Sequence, residues 1–121
     1  MTFDPRINQI KEILEQHRGK SNQISAGEVG PMVGINEDPT HFQTRKLILQ
    51  TIKRFQLPVA ASSRGYYLIS TSQELEKYLS SIDGRMREMQ KRKKIVRQAF
   101  DNYYSAAKKA QSHSFDQLHL F

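Results

Sequence analysis

A chain of 121 residues has room for one small core and an appendage, because a domain of this size is only marginally able to bury a core. Nineteen Lys and Arg stand against twelve Asp and Glu, a net charge of +7, which favours a polyanionic partner because neutralising phosphates releases counterions; a merely soluble basic surface is the plain alternative. The absence of cysteine excludes disulfides, thiolate metal sites and a cysteine nucleophile, and there is no long apolar run to span a membrane.

The first ten residues, MTFDPRINQI, lack the basic-then-apolar layout of a signal peptide, so a cytoplasmic protein with no membrane partner is expected. Asp4 caps a first helix with Pro5 at its first position, and Ile7, Ile10, Ile13 and Leu14 recur at helical spacing to about His17. Gly19 to Asn22 is polar and reads as a turn. Ser25-Ala-Gly-Glu28 has the spacing of a capping box and opens a short second helix that ends at the Gly34-Ile35-Asn36 turn. Asp38-Pro39 then starts a third helix, predicted from Pro39 to about Phe55.

At helical periodicity, Ile48, Leu49, Ile52 and Phe55 of this third helix fall on one side, flanked by Phe42, and are assigned to the core. The opposite side carries Thr40, Gln43, Leu47, Gln50 and Arg54, with Lys46 and Lys53 on its shoulder; Leu47 fits this face poorly. Amides and hydroxyls among cations, with no acids, can pair with base edges and phosphates in a major groove, whereas the plain alternative is a solvated face. From Val59 the period changes to short strand-like runs, Val59–Ser62 and Tyr66–Ile69, around Ser63-Arg64-Gly65, a hairpin signal.

The expected fold is therefore mainly α, an α+β arrangement with a three-helix helix-turn-helix core and a two-stranded wing over residues 1–70. This succession, including Pro58 entering the hairpin and Arg64-Gly65-Tyr66-Tyr67-Leu68 closing it, resembles the winged-helix domain of the biotin-repressor type and is similar to small winged-helix proteins of phage and mobile-element replication modules. The resemblance implies that the third helix enters the major groove of double-stranded DNA while the wing tip meets the backbone or minor groove, implicating Gln43, Lys46, Gln50 and Arg64. Phe55-Gln56 departs from the glycine with which that family commonly ends the helix.

Residues 71–110 turn helical again, capped by Thr71 or Ser72 with Glu74 and Glu76 in the first turn. Leu75, Leu79, Ile82, Met86, Met89, Lys93, Val96, Phe100, Tyr103 and Ala107 alternate by four and three, the spacing of a coiled-coil seam, and a helix about 58 Å long cannot bury such a stripe on so small a domain. A homodimer is expected, with a fold-back at Asp83-Gly84 as the alternative and Lys93 as a charge in the seam. Arg85, Arg87, Lys91, Arg92, Lys93, Lys94 and Arg97 make this helix strongly basic; such a run is usually a solvated face, and beside a DNA-binding domain it can add phosphate contacts.

Residues 111–121 read as a flexible tail ending in Gln117-Leu118-His119-Leu120-Phe121. This peptide closely resembles the clamp-binding peptide of bacterial DNA polymerases and repair proteins, which implies the bacterial sliding clamp, the beta subunit of DNA polymerase III, as a partner of Gln117, Leu118, Leu120 and Phe121. Four specified residues match by accident at odds on the order of one in 10⁵, and an apolar cluster at a polar terminus calls for a binding partner. Packing of the same side chains onto the chain's own core is the alternative. Histidines 17, 41, 113 and 119 are scattered singly, and no phosphate-binding glycine loop, nucleophile motif or carboxylate cluster stands out, so no metal, no cofactor and no catalysis are expected. The sequence points to a DNA-binding accessory of replication, recombination or mobile-element maintenance; the alternatives are a transcriptional regulator such as a phage repressor or excisionase-like factor, and a structural coiled-coil adaptor.

Overall fold

The computed structural model describes residues 4–113, with side chains to residue 106, and the chain divides into two compact units between Tyr78 and Leu79. The described residues are mainly helical, with four α-helices and one small antiparallel sheet. Helix α1 spans Arg6–Gln16, α2 Ala26–Met32, α3 Phe42–Phe55 and α4 Ser72–His113; strands β1 and β2 span Val59–Ser62 and Gly65–Leu68.

Local chemistry sets the helix ends. The Asp4 carboxylate accepts from the Arg6 amide at 2.9 Å, holding the start of α1. Ser25 and Glu28 form the reciprocal capping box on α2. At the far end of α2, the Ile35 amide donates to the Gly30 carbonyl at 2.8 Å and the Gly34 amide to the Pro31 carbonyl at 3.2 Å, while Gly34 takes φ +83°. That double closure is a Schellman motif, so Gly34 lies just beyond the helix instead of inside it.

The core of the first unit gathers Ile7, Ile10 and Leu14 of α1, Val29 of α2 and Leu47 and Ile48 of α3 around Ile24 and Ile35. Side chains such as Ile10, Leu14 and Ile48, fully enclosed, each contribute roughly 1.5–3 kcal/mol. β2 is bonded on both edges. One edge pairs with β1 in the register Val59 with Leu68 through Ser62 with Gly65. On the other edge, Ile24 and Tyr66 exchange amide bonds at 2.8 Å, Gly19 donates to the Leu68 carbonyl and Leu68 donates to the His17 carbonyl. The segment from His17 to Ile24, of which Gly19 to Asn22 reads from sequence as a turn, thus lies along the hairpin. Gly65 makes this approach possible: a Cβ there would sit 2.3 Å from the Ile24 carbonyl oxygen, and its φ is +144°.

Two expectations for α3 are corrected. The helix begins at Phe42, not Pro39, so Thr40 lies in the preceding turn. The reason is Asp38, whose carboxylate reaches forward to the amides of Gln43 and Thr44, at 3.2 and 2.9 Å, and caps the helix several residues after the proline. The buried face is also different. Leu47, assigned to the outer face, is 6% exposed, whereas Leu49 and Phe42, assigned to the core, are 51% and 70% exposed. Thr44 and Thr51 complete the buried face; Thr44 donates its hydroxyl to Asp38 and Thr51 donates to the Leu47 carbonyl, so neither polar group is stranded.

α4 runs unbroken through Asp83-Gly84 and reaches His113, which removes the fold-back and extends the helix three residues beyond the predicted Ala110. Backbone hydrogen bonding continues past the point where apolar periodicity stops, since a helix needs the one without the other. Its first turns belong to the first unit: Glu74 accepts from the amides of Lys20 and Ser70, and the Tyr78 hydroxyl accepts from the Ala61 amide of β1.

Candidate nucleic-acid interface

α3 is held from behind and from its start. Against α2 the packing is close at Gly30, where an added Cβ would lie 2.9 Å from Thr44 Oγ1. At its amino end His41 adopts φ +58°, and its ring approaches the Cβ position of Gly27 at 3.3 Å. The Asp38 carboxyl is pushed up by burial, but the amide and hydroxyl of Thr44 and the amide of Gln43 outweigh this and hold it below the usual range. It therefore stays ionised as a cap. At the carboxyl end Gln56 takes φ +52°.

With Thr44, Leu47, Ile48 and Thr51 turned inward, the outward side of α3 follows. Phe42, Lys46, Leu49 and Lys53 form the stripe opposite the core, Gln43, Gln50 and Arg54 lie on one shoulder and Arg45 on the other, and all are exposed. Four cations and no acid occur in the helix, and among the described residues Arg45, Lys46 and Lys53 pair with no carboxylate. The structure thus brings Gln43, Lys46, Gln50, Lys53 and Arg54 together on one helix. Thr40 sits exposed in the turn before it, and Arg64 sits exposed at the tip of the β1–β2 hairpin, on a separate element.

Arg45 escaped the sequence reading of this surface. The signal was present in the poor fit of Leu47: moving that residue into the core turns Arg45 outward. The stripe also presents two large apolar side chains, Phe42 and Leu49, which a purely phosphate-binding face would not need.

On α4, Arg85, Arg87, Arg92, Lys93, Lys94 and Arg97 are exposed without carboxylate partners among the described residues, and Lys91 makes an exposed pair with Glu88 at 3.4 Å. The seam residues are uncovered in the single chain: Leu75, Leu79, Met86, Met89, Val96, Phe100 and Tyr103 are all exposed, and Ile82 is half-buried. Gln117, Leu118, Leu120 and Phe121 lie outside the described residues. No group of three or more His, Asp or Glu that could hold a metal ion occurs among the described residues, and no helix is long and apolar enough to cross a membrane. Compared with protein families, with curated proteins and with solved structures, the chain matches none.

Proposed function

We propose that this chain is a non-enzymatic, cytoplasmic DNA-binding protein of the winged-helix type that acts as a dimer and docks on the bacterial sliding clamp through its last five residues, serving replication, recombination or mobile-element maintenance. The observation that carries the DNA half is the outward face of α3, where Arg45, Lys46 and Lys53, which pair with no carboxylate among the described residues, stand beside Gln43 and Gln50 with no acid in the helix. The order of three helices, then a hairpin, with Ile24 bonded to the outer edge of β2, supports the winged-helix reading. α3 would lie in the major groove, its cations on phosphates and its glutamines on base edges, with Arg64 on the flanking backbone or minor groove.

The clamp half rests on Gln117-Leu118-His119-Leu120-Phe121. The glutamine amide can make hydrogen bonds while two leucines and a phenylalanine fill an apolar groove. Clamp and duplex are physically linked objects, so binding both raises the joint affinity through effective concentration.

The test is capture of purified bacterial clamp by the full chain and by the variant carrying Leu120→Ala and Phe121→Ala. Binding is expected for the first and lost in the second; equal binding by both would remove the tail from the function. A strong preference for one duplex over random DNA, with no clamp binding, would instead identify a transcriptional regulator. If no duplex is bound at low salt, the adaptor reading is the survivor.

A further inference from the structure

The seam of α4 has a definite geometry within the second unit. With Leu79, Met86, Lys93 and Phe100 as one set of core positions and Ile82, Met89, Val96 and Tyr103 as the other, the flanking positions are Asp83, Gln90, Arg97 and Tyr104 on one side and Arg85, Arg92 and Ala99 on the other. Gly84 falls on the side facing away from the seam, which is where a residue of low helix propensity does least harm to packing. All the large seam side chains from Met86 to Tyr103 are more than half exposed. An exposed apolar stripe of that kind, interrupted by Lys93, signals an interaction surface.

Charge selects the occupant and its direction. If two copies paired in parallel and in register, Lys93 would face Lys93, and Arg92 of each copy would flank Arg97 of the other, three like-charge meetings within one heptad and no opposite-charge one. If they paired antiparallel with the seams fully overlapped, Leu79 would meet the partner's Tyr103, Ile82 the partner's Phe100, Met86 the partner's Val96 and Met89 the partner's Lys93. Asp83 would then flank the partner's Arg97 on both sides of the symmetry axis, and the one like-charge meeting would be Arg92 with Arg92. The lysine stem would lie along a methionine and carry its ammonium to the rim, as long cationic side chains do. In the single chain, Asp83 and Arg97 make no ion pair with any other described residue.

We infer that the α4 seam is covered by α4 of a second copy running antiparallel, in the register that places Asp83 against the partner's Arg97. This rests on the dimer reading proposed above and adds its direction and register. Sedimentation of the full chain tests the dimer itself, and a monomer at all concentrations would overturn both. Orientation is then read by cysteine cross-linking, which is unambiguous because the chain has no cysteine of its own. Under mild oxidation, a mixture of the Met86→Cys and Val96→Cys variants should give a covalent heterodimer, while neither variant alone cross-links to itself. Self-linking of the single variants would establish a parallel dimer and overturn the inference. The charge variant gives an independent sign. Arg97→Asp should weaken the antiparallel dimer several-fold and Asp83→Arg added to it should restore the affinity, whereas in a parallel dimer Arg97→Asp would turn the meeting with Arg92 attractive and tighten it.

Discussion

Gln56 ends α3 in the left-handed region, a conformation in which a side chain costs energy that glycine does not incur. The Leu57 amide still closes on the Ile52 carbonyl at 3.1 Å, so the geometry is required by the chain's exit from the helix toward β1. Gln56→Gly is expected to raise the unfolding free energy by about 0.5–1 kcal/mol, read as a higher urea midpoint with an unchanged slope. Among the described residues, four carboxylates are held below their ordinary values and so contribute to acid sensitivity: Asp4 by the Arg6 guanidinium, Glu28 by the Ser25 amide, Glu74 by the amides of Ser70 and Lys20, and Asp38, against the raising effect of burial, by Thr44 and Gln43. Each group gives up its proton more readily when folded. Its stabilisation is therefore complete above the ordinary carboxylate values of 3.8 and 4.5 and is lost as the pH falls through the lower folded values. Thermal unfolding should show the midpoint falling over that acid range, and Asp38→Ala should lower it at pH 7 by more than at pH 3; equal loss at both would mean that the ionised carboxylate is not what holds α3.

Among the elements, α3 carries the DNA proposal most directly. Changing Lys46 and Lys53 together to Ala should weaken binding to all duplexes alike and reduce the slope of log affinity against log salt by about 2, near 0.9 for each phosphate that is no longer neutralised. Anisotropy titrations at several salt concentrations read this, and an unchanged slope would take both lysines off the phosphates. The same helix shows where sequence reasoning stops. Its existence, its cations and its glutamines could be read directly, because capping and composition are local. Its rotation could not, since Thr44 and Thr51 look polar but bury hydroxyls that are satisfied by Asp38 and by a carbonyl four residues back. Counting Phe42 and Leu49 as core in their place turned the expected face by a little under one residue step of about 100°. The start of α3 was displaced for a similar reason. Asp38 does cap the helix, but by reaching over a turn that no pattern of residue types announces.

In the whole molecule, charge and apolar surface are unevenly placed. Residues 1–78 carry ten cations against eight acids, and residues 79–121 carry nine against four, so most of the excess lies beyond the first unit. The heptad spacing made the long helix legible, and a continuous α4 passes through Asp83-Gly84 without a break. Pairing along residues 17–24 stayed hidden because Ile24 contributes a single bridging residue, too short to leave an alternation. In the proposed antiparallel dimer the unbroken helix would also be a spacer. With Leu79 level with the partner's Tyr103, the two Leu79 residues stand about 36 Å apart along the coil, close to one turn of duplex DNA at about 34–36 Å, whereas a parallel pair would set them side by side. Seven residues inserted into the seam would keep every side chain on its face while widening that separation by about 10.5 Å, or roughly three base pairs at about 3.4 Å each, so in the proposed dimer the length of α4 would set the spacing of the two Leu79 residues.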